Sequence, residues 1–256
     1  MARDSSGTKN QPQYAGTGAP ADAADMSEIA NYAALVGNRK IGPSSARTTA
    51  TGADVWEGLE WWDTTLNTVF VMQSGTWRAS GTGLVPVIPA SVAGTGVVLN
   101  PGGSITFTGT SSFAAVGFAT TDFPHYMALL DVTASSANTT LAAQLRTGGS
   151  NDTSANYDTK LNADNAAPVT TIGGVSFPLS ASATLFHSVS IDLFNWPLAL
   201  RKKINARGQD WTNGGAPTEF RVAAAHRLTA AVDSLLVAAT GGTITGSLTI
   251  FGYVSR

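Results

Sequence analysis

From about Gly94 onward, apolar residues recur at every second position in short runs bounded by Gly, Asn, Asp and Pro. Leu185, His187, Val189, Ile191 and Leu193 fall on one side of an extended segment, and Thr184, Ser188, Ser190 and Asp192 fall on the other. Ile244, Leu248 and Ile250 likewise oppose Thr243, Thr245, Ser247 and Thr249. A period of two puts alternate side chains on opposite faces of a strand with one face buried. Runs at 97–99, 105–108, 112–118, 126–133, 141–146, 185–194, 220–228, 235–238 and 243–253 read the same way. Many short strands with turn residues between them and no intervening helix predict an antiparallel β-sandwich, jelly-roll-like in size, over 95–256.

The first third reads differently. Residues 1–24 are rich in Ala, Gly, Pro, Gln and Ser without periodicity, as expected of an arm that orders on docking. A helix of about three turns follows. Asp25 and Glu28 stand at capping-box spacing, Met26, Ile29, Ala33 and Val36 line one face, and Gly37 supplies a stop. So short a helix is unstable alone, so it docks on its own chain or bundles with copies of itself along an Ile29 and Val36 seam.

Four of the six tryptophans, Trp56, Trp61, Trp62 and Trp77, then fall in one stretch that reads as a β-hairpin. Leu59, Trp61 and Asp63 face one way and Glu60 and Trp62 the other, with Asp63 to Asn67 as the turn. A hairpin alone is too small to cover so many indoles, which makes Ile29, Val36, Trp56, Trp61, Trp62 and Trp77 the candidates for an interface between copies. With the helix it forms an attachment and assembly segment over 25–80. Gly and Thr around 81–83 and the alternating prolines of 84–89 suit an extended linker over 81–94, or an edge strand.

Composition narrows the functional classes. Hydrophobic residues make up 43% of the 256, enough for a core, while charged residues make up only 12%, so hydroxyls and amides carry much of the surface polarity. A net charge of −2, with no basic cluster beyond Arg201, Lys202 and Lys203, argues against a nucleic-acid partner. The absence of cysteine removes disulfides, thiolate catalysis and Cys-ligated zinc. No apolar run approaches the length that crosses a bilayer, so membrane insertion is not expected and synthesis in a bacterial cytoplasm is.

Three segments together carry a family resemblance. They are the helix with Ile29, Tyr32, Ala33, Val36, Gly37, Asn38 and Arg39, the hairpin Trp61-Trp62-Asp63-Thr64-Thr65-Leu66-Asn67, and the terminal run from Gly242 to Tyr253. This layout resembles tail-fibre or minor tail proteins of tailed bacteriophages, especially those of actinobacteria, over roughly 25–256. The first two segments are the specific ones. The resemblance implies a homotrimer in the virion, docked on other virion proteins through its N-terminal part, with a distal receptor-binding head on the host surface.

Catalytic chemistry is sparse. His125, His187 and His226 show no metal-ligand spacing, and no nucleophile elbow or phosphate loop occurs. His187 lies on the apolar side of its strand and reads as a core histidine. Asp152, Asp158 and Asp164 share a polar stretch and are the candidates for a polysaccharide-cleaving acid pair, but solvated loop aspartates are the commoner case and no β-helical repeat is present. The reading is therefore non-enzymatic, with no cofactor, metal or catalytic residue. Glycan contact is assigned to Tyr157 and Asp158 at the end of the 147–158 loop, to Trp196, and to Trp211 with Asn213, where rings sit beside hydrogen-bonding groups. A capsid-anchored fibre or decoration protein without receptor binding is the alternative.

Overall fold

The computed structural model describes residues 5–6, 12–13, 33, 39–80, 83–120, 122–164, 166–181, 183–211, 215–227 and 229–253. It divides into two compact units at Gly81 and Thr82. Of the predicted helix only Ala33 falls among the described residues, where it is helical; Ile29 and Val36 lie outside them. In the arm, β1 (Ser5–Ser6) pairs antiparallel with β2 (Pro12–Gln13).

The first unit is built on a four-stranded sheet. β4 (Glu60–Asp63), β5 (Thr68–Gln73) and β6 (Thr76–Ala79) form an antiparallel meander, and β3 (Arg39–Gly42) adds to β4 in parallel. The predicted alternation holds: Leu59, Trp61 and Asp63 are buried, while Glu60 and Trp62 are half-buried on the opposite face. Asn67, at φ 49°, closes the Asp63 to Asn67 turn in a conformation that asparagine tolerates better than most residues.

This unit covers its own indoles more fully than a bare hairpin would. A short helix, α1 (Ser44–Thr49), connects β3 toward β4. Trp61 is 6% exposed, donates its Nε1–H to the Gly42 carbonyl at 3.1 Å and meets Trp77 edge to face at 5.8 Å. A side chain at position 42 would collide with the Trp61 ring, so glycine is required there by close approach. Trp56 lies under the Lys40 ammonium, 5.8 Å from the ring centroid. Of the four interface candidates, Trp61 is corrected to a core residue; Trp77, which packs on it, and Trp56, which lies under an intramolecular cation, are each half-buried. Trp62 alone of the four sits on the outer face, beside Ile41, Val69 and Val71, and Ile41 is 71% exposed.

The second unit is mainly β, an antiparallel sandwich of two unequal sheets. The large sheet contains β7 (Leu84–Pro86), β9 (Val97–Leu99), β10 (Ile105–Thr110), β12 (His125–Ser135), β15 (Tyr157–Ala163), β16 (Val169–Gly174), β18 (Phe186–Phe194), β19 (Lys202–Trp211), β20 (Thr218–His226) and β22 (Ile244–Tyr253). Its spatial order is β16-β15-β20-β19-β18-β12-β22-β10-β9, with β7 beside the end of β22. The small sheet contains β8 (Ser91–Ala93), β11 (Ser112–Val116), β13 (Leu141–Thr147), β14 (Ser150–Asn151), β17 (Phe177–Pro178) and β21 (Ser234–Ala239). Because β7 and β8 belong to these sheets, residues 84–93 of the expected linker over 81–94 are part of the sandwich, in keeping with the edge-strand alternative, and Pro86 sits where an edge strand allows it.

Inward positions of both sheets make one apolar layer, including Phe107 stacked on Phe113 with centroids 4.4 Å apart, and fully buried Leu130, Ile191, Ile204, Leu235 and Ile250. Each such side chain contributes roughly 1.5–3 kcal/mol of burial. The opposite face of the large sheet carries mainly polar residues on β18 and β19 and a mixture on β12 and β20, where Met127, Leu129, Ala223 and Ala225 also face outward.

Candidate functional site

Cross-strand register places the outward residues of the large sheet in rows. One row runs Leu129, Ser190, Arg207, Arg221 and Asn162 across β12, β18, β19, β20 and β15. The next runs Asp131, Ser188, Gln209 and Glu219, and Asp164 follows β15 with its N–H on the Glu219 carbonyl at 3.0 Å. These rows line an open hollow of about 690 Å³. Its floor is polar, with Gln209 donating its side-chain amide to Glu219 Oε1 at 3.2 Å.

Gly208 lies beneath this hollow, between Arg207 and Gln209. Its pleat position points inward, where Phe220 spreads across it, and a Cβ there would overlap both that ring and the Ser188 carbonyl oxygen. Close backbone approach therefore brings β18 and β20 tight against β19 under the groove. A second hollow of about 440 Å³ adjoins on the same face, floored by Ala223 and Ala225 and bordered by Lys160, Lys203, Asn205 and Ile172.

The residues expected to contact glycan are mostly elsewhere. Tyr157 and Trp196 are both 0% exposed, so neither ring can stack on a sugar, and both assignments are corrected. The Tyr157 hydroxyl accepts the Leu145 N–H at 2.7 Å, joining the two sheets, and burial pushes its pKa up. Trp196 packs on Phe118 at 6.2 Å beneath the sandwich loops. Asp158 is committed to Arg227, accepting from Nε at 3.0 Å and Nη2 at 2.7 Å, and these bonds hold its carboxyl below the usual range. Trp211, half-buried, follows Gln209 on the groove side of β19 and stays a candidate at its margin; Asn213 lies outside the described residues.

The strand ends near Tyr157 are tied down from within. Tyr126 donates to the Thr120 carbonyl and accepts the Thr120 N–H, each at 2.8 Å, and burial pushes its hydroxyl up to about 12. Lys202, 0% exposed, donates to the carbonyls of Leu198 and Leu200, and desolvation lowers its pKa. His226 Nε2 meets Asp152, whose carboxyl is raised by desolvation but pulled net downward by the hydrogen bonds of Ser154 and His226. The 147–158 segment is thus partly strand and partly anchored, whereas a free polar loop was expected.

Two constellations have the composition of catalytic sites without their geometry. Thr184, His187 and Asp210 lie together, with His187 Nδ1 2.8 Å from Asp210 Oδ1. Thr184 is 3% exposed and His187 0%, and the threonine hydroxyl donates to the Phe186 carbonyl, so no reacting group reaches solvent. His187 is a core residue, as its strand alternation predicts. Asp158 lies near the start of β15 and Asp164 just past its end, about 20 Å along the chain direction, too far for a glycosidase pair. Among the described residues no group of three or more potential ligands is placed to hold a metal ion.

Sequence reasoning missed the groove residues Arg207, Arg221, Gln209, Glu219 and Asp131. The signal was present as strict alternation, Lys203, Asn205, Arg207 and Gln209 against Ile204, Ala206 and Gly208. Comparison of the chain with protein-family models, curated proteins and solved structures gives no match.

Proposed function

We propose that this chain is a virion structural protein of a tailed phage, a trimeric tail fibre or minor tail protein that binds a bacterial surface polysaccharide in the groove of its large sheet. The observation that carries the reading is the groove itself. Hydrogen-bonding side chains from five adjacent strands, Asp131, Asn162, Ser188, Ser190, Arg207, Gln209 and Glu219 among them, line an open hollow of about 690 Å³ that crosses those strands. A rigid sheet holds these groups more uniformly than loops would. The resemblance of the Trp61 to Asn67 segment to phage tail proteins supplies the biological setting, and the outward Ile41, Trp62, Val69 and Val71 supply a surface for self-association.

The test is adsorption. Full-length protein added to host cells of an actinobacterial panel binds the susceptible strain, and Ser190→Trp, which fills the groove from an outward position, abolishes binding without changing the circular dichroism spectrum. Unchanged binding by the folded variant refutes the groove. Antibody labelling of particles then locates the protein: tail-tip label accords with the proposal, and capsid label favours a decoration role.

A further inference from the structure

Arg207 and Arg221 are directly opposed on neighbouring strands, β19 and β20, both exposed and both on the groove face. Side chains in that relation start with Cβ atoms about 5 Å apart, and like charges there are destabilising. Neither guanidinium has an ion-pair or hydrogen-bond partner among the described residues, although Asp131, Glu219 and Asp164 occupy the adjacent row. Two other exposed arginines are paired, Arg39 with Glu60 at 3.0 Å and Arg227 with Asp158 at 2.7 Å, while Arg78 and Arg201 stand singly among the described residues; what sets Arg207 and Arg221 apart is that they stand opposite each other.

Two guanidinium forks carried on Cβ atoms about 5 Å apart supply enough N–H donors within reach of each other to share one oxyanion. On the other side of the arginines the next row carries Asp192, which accepts from the Tyr253 hydroxyl at 2.8 Å, and two lysines lie on that side as well. Lys203 lies four residues before Arg207 on the same face of β19, about 13 Å along the strand, and Lys160 borders the same Ala223 and Ala225 floor. We infer that the Arg207 and Arg221 pair seats an oxyanion carried by the polysaccharide, a uronate carboxylate or a phosphodiester, making the ligand an acidic polymer rather than a neutral one. This rests on the reading of the groove as a polysaccharide site. The acidic row serves the same ligand: Asp131 and Glu219 accept from sugar hydroxyls beside the anion. Alanines at 223 and 225 keep the path to Lys203 and Lys160 open, so successive anions along the polymer meet successive cations.

Titration calorimetry of the full chain against polygalacturonate, poly(glycerol phosphate) and dextran separates the possibilities. One of the two charged polymers binds, more weakly as salt rises, and dextran binds at least tenfold more weakly; which one binds identifies the oxyanion. Arg207→Gln and Arg221→Gln each weaken that binding tenfold or more. Both unliganded variants melt at or above the temperature of the parent, because the opposed like charges are gone. A structural role for the arginines would lower the melting temperature instead. The inference falls if dextran binds as tightly as the charged polymers, if neither charged polymer binds, or if both variants bind as the parent does. Should it fall while Ser190→Trp still abolishes cell adsorption, the groove remains a polysaccharide site of neutral specificity. If Ser190→Trp also has no effect, the groove reading fails with it.

Discussion

Arg47 and Asp63 form an ion pair buried to within 1% of complete exclusion, Nε to Oδ2 at 2.9 Å, in the middle of the small first unit. Asp63 also accepts from the Ser44 hydroxyl at 2.7 Å and from the backbone amides of Thr65 and Leu66 at 2.9 and 3.0 Å, while the Arg47 guanidinium lies 3.7 Å over the Phe70 ring. One carboxylate therefore closes the β4–β5 turn and anchors α1 at the same time.

Asp63→Ala is expected to destabilise the first unit by about 3–5 kcal/mol, since it leaves a buried guanidinium uncompensated. Combining it with Arg47→Met does not restore stability, because the Thr65 and Leu66 amides still lack their acceptor. Limited proteolysis checks this: cleavage within 39–80 accelerates in both variants while the fragment from about residue 82 onward persists.

Ile41→Glu and Trp62→Glu are expected to lower the oligomeric state without unfolding the unit. Both side chains lie on the outer face of the four-stranded sheet and Asp63, Trp61 and Phe70 lie on the inner one. Multi-angle light scattering at micromolar concentration checks the trimer in the parent and its loss in the variants. A parent that is already a monomer refutes self-association through this face.

Tyr157→Phe is expected to cost about 1–3 kcal/mol in urea unfolding of the sandwich, because the buried Leu145 amide loses its acceptor. Trp196→Ala is expected to cost about 3–5 kcal/mol. Neither should alter polysaccharide affinity in the fraction that folds, which separates these two aromatics from the groove.

Acid lability is expected to run through Asp152. Its folded pKa is depressed, so its contribution is complete above the unfolded value of about 3.9 and is lost as pH falls through the lower folded value. Asp152→Asn should therefore flatten the acid limb of stability below about pH 4 and leave Asp158 and Arg227 to supply what remains of it. Urea midpoints measured from pH 2 to 6 in parent and variant check the difference.

The sandwich was legible where inward residues were large. β18 and β22 announce themselves through Val189, Ile191, Leu193, Leu248 and Ile250. β19 and β15 stood out less, because their inward positions include the small or polar Ala206, Gly208 and Thr159, so the alternation that is present carries little apolar contrast. The groove was hidden for the same reason, being made from the polar half of those strands. Trp196 and Tyr157 misled because an aromatic beside Asn or Asp has the same local sequence whether its ring faces solvent or core. Only the neighbouring strands decide that, and they are distant in sequence: Tyr157 meets Leu145 across the sheets and His226 across β15–β20.

Among the described residues the large sheet does not close on itself. It ends at β16, where Val169 and Ile172 are 58% and 74% exposed on a strand without charge, a border guarded against adding a stranger's backbone only by Pro168 just before it and by an irregularity in its pairing with β15. At high concentration two such borders can zip together, so a lysine placed at Thr170 or Ile172 would be the first remedy against precipitation during purification.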